Sequence, residues 1–200
     1  MSFLNRIRDR SAPPSTELSD EIINALSYYA RCDPRMVRQW HQEFLKHAPV
    51  GKLSKKNFIE IYQQAYPGIN IRPLADLIFK FYDEDNSNWI SFYEFFLPNV
   101  LYTTMDPSLR ARCIFRLIDT NNNRSISLKE LTVVLKALYE LRGIPDSKGP
   151  LGSKIKAQHI IQYMDYNQDS VIDESEFVYA LTRTPALREI FEFDFRTPTK

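Results

Sequence analysis

Three stretches of this chain read alike: DEDNSNWISFYE at 83–94, DTNNNRSISLKE at 119–130 and DYNQDSVIDESE at 165–176. Each follows an apolar helical run, opens on Asp, carries Ile at its eighth position and closes on Glu before another apolar residue. A unit repeated in this way cannot bury its apolar faces alone, so copies of one helix–loop–helix module must pack on each other.

The chemistry of the repeat explains its spacing. A hard cation such as calcium takes about six to eight oxygen ligands, and a 12-residue loop can wrap it. These stretches have the form of the EF-hand loop. Positions 1, 3 and 5 offer side-chain oxygens from Asp83, Asp85 and Ser87, from Asp119, Asn121 and Asn123, and from Asp165, Asn167 and Asp169. Position 7 gives a backbone carbonyl, at Trp89, Ser125 and Val171, so its side chain is free to vary. Position 12 must chelate with both oxygens and is Glu94, Glu130 and Glu176. Position 9 (Ser91, Ser127, Asp173) stands three residues before that Glu, the spacing of a capping box, so one stretch serves both metal binding and helix initiation. Ile90, Ile126 and Ile172 suit a short β-bridge between paired loops.

EF-hands pair, and the first copy needs a partner. KHAPVGKLSKKN at 46–57 aligns Leu53 with the bridge isoleucines, but its ligand positions hold Lys46, Ala48, Val50 and Asn57, so this loop is expected to hold no ion. An all-α fold follows, of four EF-hands in two paired lobes with short β-bridges between paired loops. The expected division is a flexible segment 1–17, an N-terminal lobe 18–103, a C-terminal lobe 104–195 with a linker at 143–153, and a tail 196–200. Asp106 before Pro107 reads as an N-cap with Pro at the first helical position.

Position 6 of such loops normally holds Gly, because the backbone turns there with positive φ; here it is Asn88, Arg124 and Ser170. Arg and Ser are expected to cost about 1 kcal/mol each in strain. Loop three also has two carboxylate ligands where loops two and four have three. Calcium is therefore expected most strongly at loops two and four, weakly or with magnesium sensitivity at loop three, and not at loop one.

From Gln39 to Lys46, and at Ala48-Pro49-Val50-Gly51, the chain resembles the neuronal calcium sensor family, whose first loop is disabled by a Pro before its Gly. The likeness covers about residues 20–192. It implies an apolar groove in the N-terminal lobe that receives a helical segment of a target protein, membrane-associated targets included. By position the groove residues are Trp40, Phe44, Phe58, Tyr62, Phe79, Phe81 and Phe95; each taken singly also fits ordinary packing of a helical face. The family's usual Met-Gly start signals myristoylation, whereas residue 2 here is Ser2, so no myristoyl anchor is expected. The segment from Phe3 to Arg10 is left as a weak peripheral membrane contact or a mobile tail. The tail from Phe191 to Phe195 alternates aromatic and acidic residues, a pattern that suits folding back over the groove as well as simple packing.

Charge is balanced, 26 basic against 25 acidic residues, which excludes the positive field of a nucleic-acid binder and lacks the acidity of a calcium buffer. Two cysteines without a CxxC pair suit reduced thiols in a cytoplasmic protein, at membrane surfaces included. His41, His47 and His159 are scattered, and the glutamates are taken up as ligands, so no enzyme is expected. Two functions remain open: a calcium sensor that changes shape to regulate a partner, and a constitutive EF-hand subunit of an enzyme or channel, comparable to calcineurin B or the channel-interacting proteins.

Overall fold

The computed structural model describes residues 16–103, 106–146 and 149–191, the side chains of 101–103 excepted. Most of the segments 1–17 and 191–195, and part of the connector after Leu101, lie outside the described residues, so the readings attached to them are not placed. Among the described residues the chain forms ten helices and two short two-stranded sheets. No helix among them is long and apolar enough to cross a membrane.

Helix α1 (Asp20–Ala30) precedes the first hand and is not part of the repeat. The Ser19 side chain accepts the Ile22 N–H at its start, and Arg31, left-handed at φ 50°, ends it while the Cys32 N–H returns to the Ser27 carbonyl. The hands follow in order. Hand one is α2 (Pro34–His47), β1 (Lys52–Ser54) and α3 (Lys55–Ala65). Hand two is α4 (Arg72–Tyr82), β2 (Trp89–Ser91) and α5 (Phe92–Thr103). Hand three is α6 (Pro107–Ile118), β3 (Ser125–Ile126) and α7 (Leu128–Leu141). Hand four is α8 (Ser153–Met164), β4 (Ile172–Asp173) and α9 (Glu174–Arg183), with a last short helix α10 (Pro185–Phe191).

The loops pair through their eighth positions. β1 runs antiparallel to β2 with Leu53 opposite Ile90, and β3 to β4 with Ile126 opposite Ile172. All four of these side chains are buried, so each bridge is also the apex of a core. Pro107 begins α6 behind Asp106, whose carboxylate accepts the Ser108 N–H at 2.8 Å, as the sequence predicts. Gly152, the N-cap of α8, has no side chain to offer; Asp146 supplies the cap from within the linker, accepting the Ser153 N–H at 2.8 Å and its hydroxyl at 3.0 Å. At the far end, the Arg142 guanidinium donates to the carbonyls of Glu189 and Ile190, tying α10 to the end of α7.

The core of the N-terminal pair is aromatic. Phe58 stands 4.8 Å from Tyr62 and 5.6 Å from Phe79 between ring centres, and Phe44 is 5.3 Å from Phe95. The residues expected to line a groove are found here: Phe44, Phe58, Tyr62, Phe79, Phe81 and Phe95 are buried, and Trp40 is half-buried against Phe95 and Phe96. In this conformation the faces of α2, α3, α4 and α5 close on one another, so the set forms core rather than an open surface. His41 is buried edge-on to Phe92, a packing role. Cys32 and Cys113 are both free thiols. Burial pushes the Cys113 thiol up to about 11, and burial with the neighbouring Asp33 charge raises Cys32, so neither is activated as a nucleophile.

Candidate metal-binding loops

Each of the three acidic loops starts where a helix stops. Asp83, Asp119 and Asp165 are the C-caps of α4, α6 and α8. From there the three backbones make the same turns. The position-1 carboxylate spans two amides: Asp83 accepts the N–H of Ser87 and Asn88, Asp119 those of Asn123 and Arg124, and Asp165 those of Asp169 and Ser170, all at 2.9–3.1 Å. The position-3 oxygen accepts the position-5 N–H, from Asp85 to Ser87, Asn121 to Asn123 and Asn167 to Asp169. The position-5 oxygen in turn accepts the position-7 N–H, from Asn123 to Ser125 and Asp169 to Val171, with Ser87 to Trp89 longer at 3.3 Å. Oxygens at 1, 3 and 5 are thereby held on the inside of a closed curl.

That curl needs left-handed residues. Position 6 has positive φ as the spacing predicts, 63° at Asn88, 66° at Arg124 and 70° at Ser170. Position 4 is left-handed as well, at Asn86, Asn122 and Gln168, with no glycine to mark it. Replacing Arg124 with glycine is expected to stabilise the calcium-free chain by about 1 kcal/mol, read by chemical denaturation in chelator.

The twelfth position distinguishes the loops. One carboxylate oxygen does the same work in all three: Glu94 Oε2 accepts the Ser91 N–H, Glu130 Oε2 the Ser127 N–H and Glu176 Oε2 the Asp173 N–H. With Ser127 and Asp173 this completes full capping boxes on α7 and α9. Hydrogen bonds from the Ser175 hydroxyl and the Glu176 N–H hold the Asp173 carboxyl below its ordinary value. The second oxygen differs. Glu130 Oε1 takes the Thr120 hydroxyl at 3.2 Å, the Asn121 N–H at 3.3 Å and the Asn121 amide at 2.9 Å. Glu176 Oε1 takes the N–H of Tyr166 at 2.9 Å and of Asn167 at 3.3 Å. Glu94 Oε1 is buried and makes no hydrogen bond of ordinary geometry, although the Asp85 N–H helps to stabilise the charged carboxyl.

Such an oxygen is costly to bury unless a cation completes it. Carboxylate oxygens of Asp83, Asp85 and Glu94 lie within 4.8 Å of one another, the one such group of three among the described residues. Asp165, Asp169 and Glu176 are not drawn together as closely. Burial, aided by the Asp85 charge, raises the Glu94 carboxyl above its ordinary value against the pull of its Ser91 hydrogen bonds and the Asp85 N–H. Burial likewise raises Asp83 against the Asn88 and Ser87 amides. A set of hard oxygens with one unmet valence fits a hard divalent cation.

Loop one shows the opposite. Ala48 is buried, Lys46 turns back to Glu43 on its own helix, and the Gly51 N–H closes on the Ala48 carbonyl at 2.9 Å. What it retains is the strand, from which the Lys52 ammonium stands 4.4 Å above the Trp89 ring.

Known proteins are similar to this chain. A family profile described as an EF-hand domain pair matches residues 109–182. Recoverin of Homo sapiens is 23% identical over 90% of this chain and 92% of its own length. S-modulin of Aquarana catesbeiana is also 23% identical, over 90% of this chain and 91% of its own length. Neuronal calcium sensor 1 of Lymnaea stagnalis reaches 27% over 86% of this chain and 92% of its own length. The chain is thus similar to neuronal calcium sensor proteins along about nine-tenths of its length. What the profile shows of the chain itself is an EF-hand pair over residues 109–182, which contains loops three and four. Loop one holds Lys46, Ala48 and Val50 where the other loops hold side-chain oxygens, and it turns through Pro49-Val50-Gly51.

Proposed function

We propose that this chain is a calcium sensor that regulates a partner protein by exposing an apolar groove. The observation that carries the reading is the convergence of the Asp83, Asp85 and Glu94 carboxylates on a buried Glu94 Oε1 that makes no hydrogen bond of ordinary geometry. Glu94 lies in the first turn of α5, next to Phe95 and Phe96, which pack on Trp40 of α2. An ion that draws in Glu94 turns the start of α5 and takes these aromatics out of register with α2. The faces that now form core then become the groove, with Trp40, Phe44, Phe58, Tyr62, Phe79, Phe81 and Phe95 presented to a helical segment of the target. Sensor hands work by opening in this way.

The ligand sets are Asp83, Asp85, Ser87, the Trp89 carbonyl and Glu94 in loop two, and Asp165, Asn167, Asp169, the Val171 carbonyl and Glu176 in loop four. Loop three offers Asp119, Asn121, Asn123, the Ser125 carbonyl and Glu130. It has two carboxylate ligands where loops two and four have three, and Arg124 brings a like charge to the ion, so it is the weakest site and the one most sensitive to magnesium. The hands group as two lobes, 18–103 and 104–195, acting in the cytoplasm and at membrane surfaces that face it.

Apolar-dye fluorescence tests the reading. A rise on adding calcium, lost in Glu94→Gln, is expected; a signal that calcium leaves unchanged contradicts it. A signal already high in chelator points instead to a constitutive regulatory subunit.

A further inference from the structure

We propose that α6 is an ionic strut coupling loop two to loop four, a proposal that rests on the reading of these two loops as the principal sites. Helix α6 leads into loop three, yet two of its arginines serve the other two loops. Arg112 pairs with Glu174, position 10 of loop four and two residues before the ligand Glu176. Arg116 pairs with Glu84, position 2 of loop two, at 3.3 Å. Its guanidinium also stands 5.8 Å from the ring centre of Phe81, two residues ahead of the ligand Asp83.

Residues four apart on a helix share a face, one turn from each other. Arg112 and Arg116 are so spaced within the 12 residues of α6. The helix packs on α9, α4 and α5, so it meets both pairs of hands. Where it reaches loop two, the starts of loops two and three face each other across a cleft of about 270 Å³ whose walls include Lys80, Asp83, Glu84, Arg116 and Asp119. Across that cleft Thr120 holds the position that Glu84 holds in loop two, and its hydroxyl is turned inward to Glu130. Loop three therefore offers no matching acid, and the ionic line runs from Glu174 through α6 to Glu84.

An ion in loop four that draws in Glu176 turns the first residues of α9, Glu174 among them. Arg112 follows its partner, α6 shifts as a rigid rod, and Arg116 moves Glu84 and the end of α4, where loop two begins. Linkage of this kind is reciprocal, so loop two acts equally on loop four. All four side chains are partly exposed, between 40% and 54%, which sets the coupling at about threefold in affinity rather than more.

Calcium calorimetry on the full chain tests the strut. Glu176→Gln is expected to remove one tightly bound ion and to weaken loop two about threefold. In chains carrying Arg112→Gln or Arg116→Gln, the same Glu176→Gln change should leave loop-two affinity unaltered. The exchanged pair Arg116→Glu with Glu84→Arg should restore the dependence. The proposal is overturned if loop two weakens as much in the arginine variants as in the parent chain, or if it does not weaken in the parent. If Glu176→Gln fails to remove an ion, the assignment of loop four falls and the strut falls with it; the ion count thus separates the two failures.

Discussion

Replacing Glu94 with glutamine is expected to weaken calcium at loop two by about a hundredfold or more, while making the calcium-free chain more stable. The two effects share one cause. Glu94 Oε2 is held by the Ser91 N–H at 2.9 Å and the Ser91 hydroxyl at 2.6 Å, and Oε1 is buried without a hydrogen bond of ordinary geometry. A glutamine keeps its carbonyl oxygen on the Ser91 N–H and turns its amide N–H₂ toward the carboxylates of Asp83 and Asp85, so the orphaned acceptor becomes a satisfied donor. Burying an unmatched polar group costs about 1–3 kcal/mol, and a gain of about 1 kcal/mol in chelator is the expected share. With calcium the order reverses, because the variant has lost a bidentate ligand and its charge. Melting curves of both chains, in chelator and in calcium, show the crossing; a variant less stable under both conditions rules out this account of Glu94.

Phe58→Ala is expected to cost about 4 kcal/mol of stability in the calcium-free chain, measured by chemical denaturation. Phe58 is fully buried, and its ring centre lies 4.8 Å from Tyr62, 5.6 Å from Phe79 and 6.0 Å from Tyr82. Truncation leaves a cavity walled by stiff rings that cannot collapse into it, which places the cost toward the upper part of the range for such changes. Tyr28→Ala is the control: that side chain is 80% exposed and its loss should cost little. A cost below about 1 kcal/mol for Phe58→Ala means that the N-terminal pair is not closed around this ring.

The loops were legible in the sequence because their chemistry is local. Twelve consecutive residues set the oxygen positions, the helix start and the bridge residue, so Leu53 opposite Ile90 follows from reading along the chain, as the Asp106 cap does from the Pro after it. The left-handed turn at position 4 was not legible, because Asn86, Asn122 and Gln168 give no glycine signal and are driven into it by amide bonds to Asp83, Asp119 and Asp165. Helix α1 was missed for a related reason: it stands outside the repeat and ends on Arg31 where a glycine would have marked the stop. Nor does sequence distinguish groove from core. One apolar face on each of α2 to α5 serves both, and whether Phe44 and Phe95 meet each other or a partner depends on the angle between helices. The contrast between Glu94, Glu130 and Glu176 depends on where the Thr120 and Asn121 side chains and the Tyr166 amide come to lie, and the pairs made by Arg112 and Arg116 join residues 62 and 32 positions apart.

The most direct measurement is a calorimetric calcium titration of the full chain beside its Glu94→Gln, Glu130→Gln and Glu176→Gln variants. Two tight binding events and a third, weaker one are expected, with Glu94→Gln and Glu176→Gln each removing a tight event and Glu130→Gln removing the weak one. No binding heat at all, or three events of equal strength, contradicts the assignment of loops two and four as the calcium sites on which the sensor reading stands.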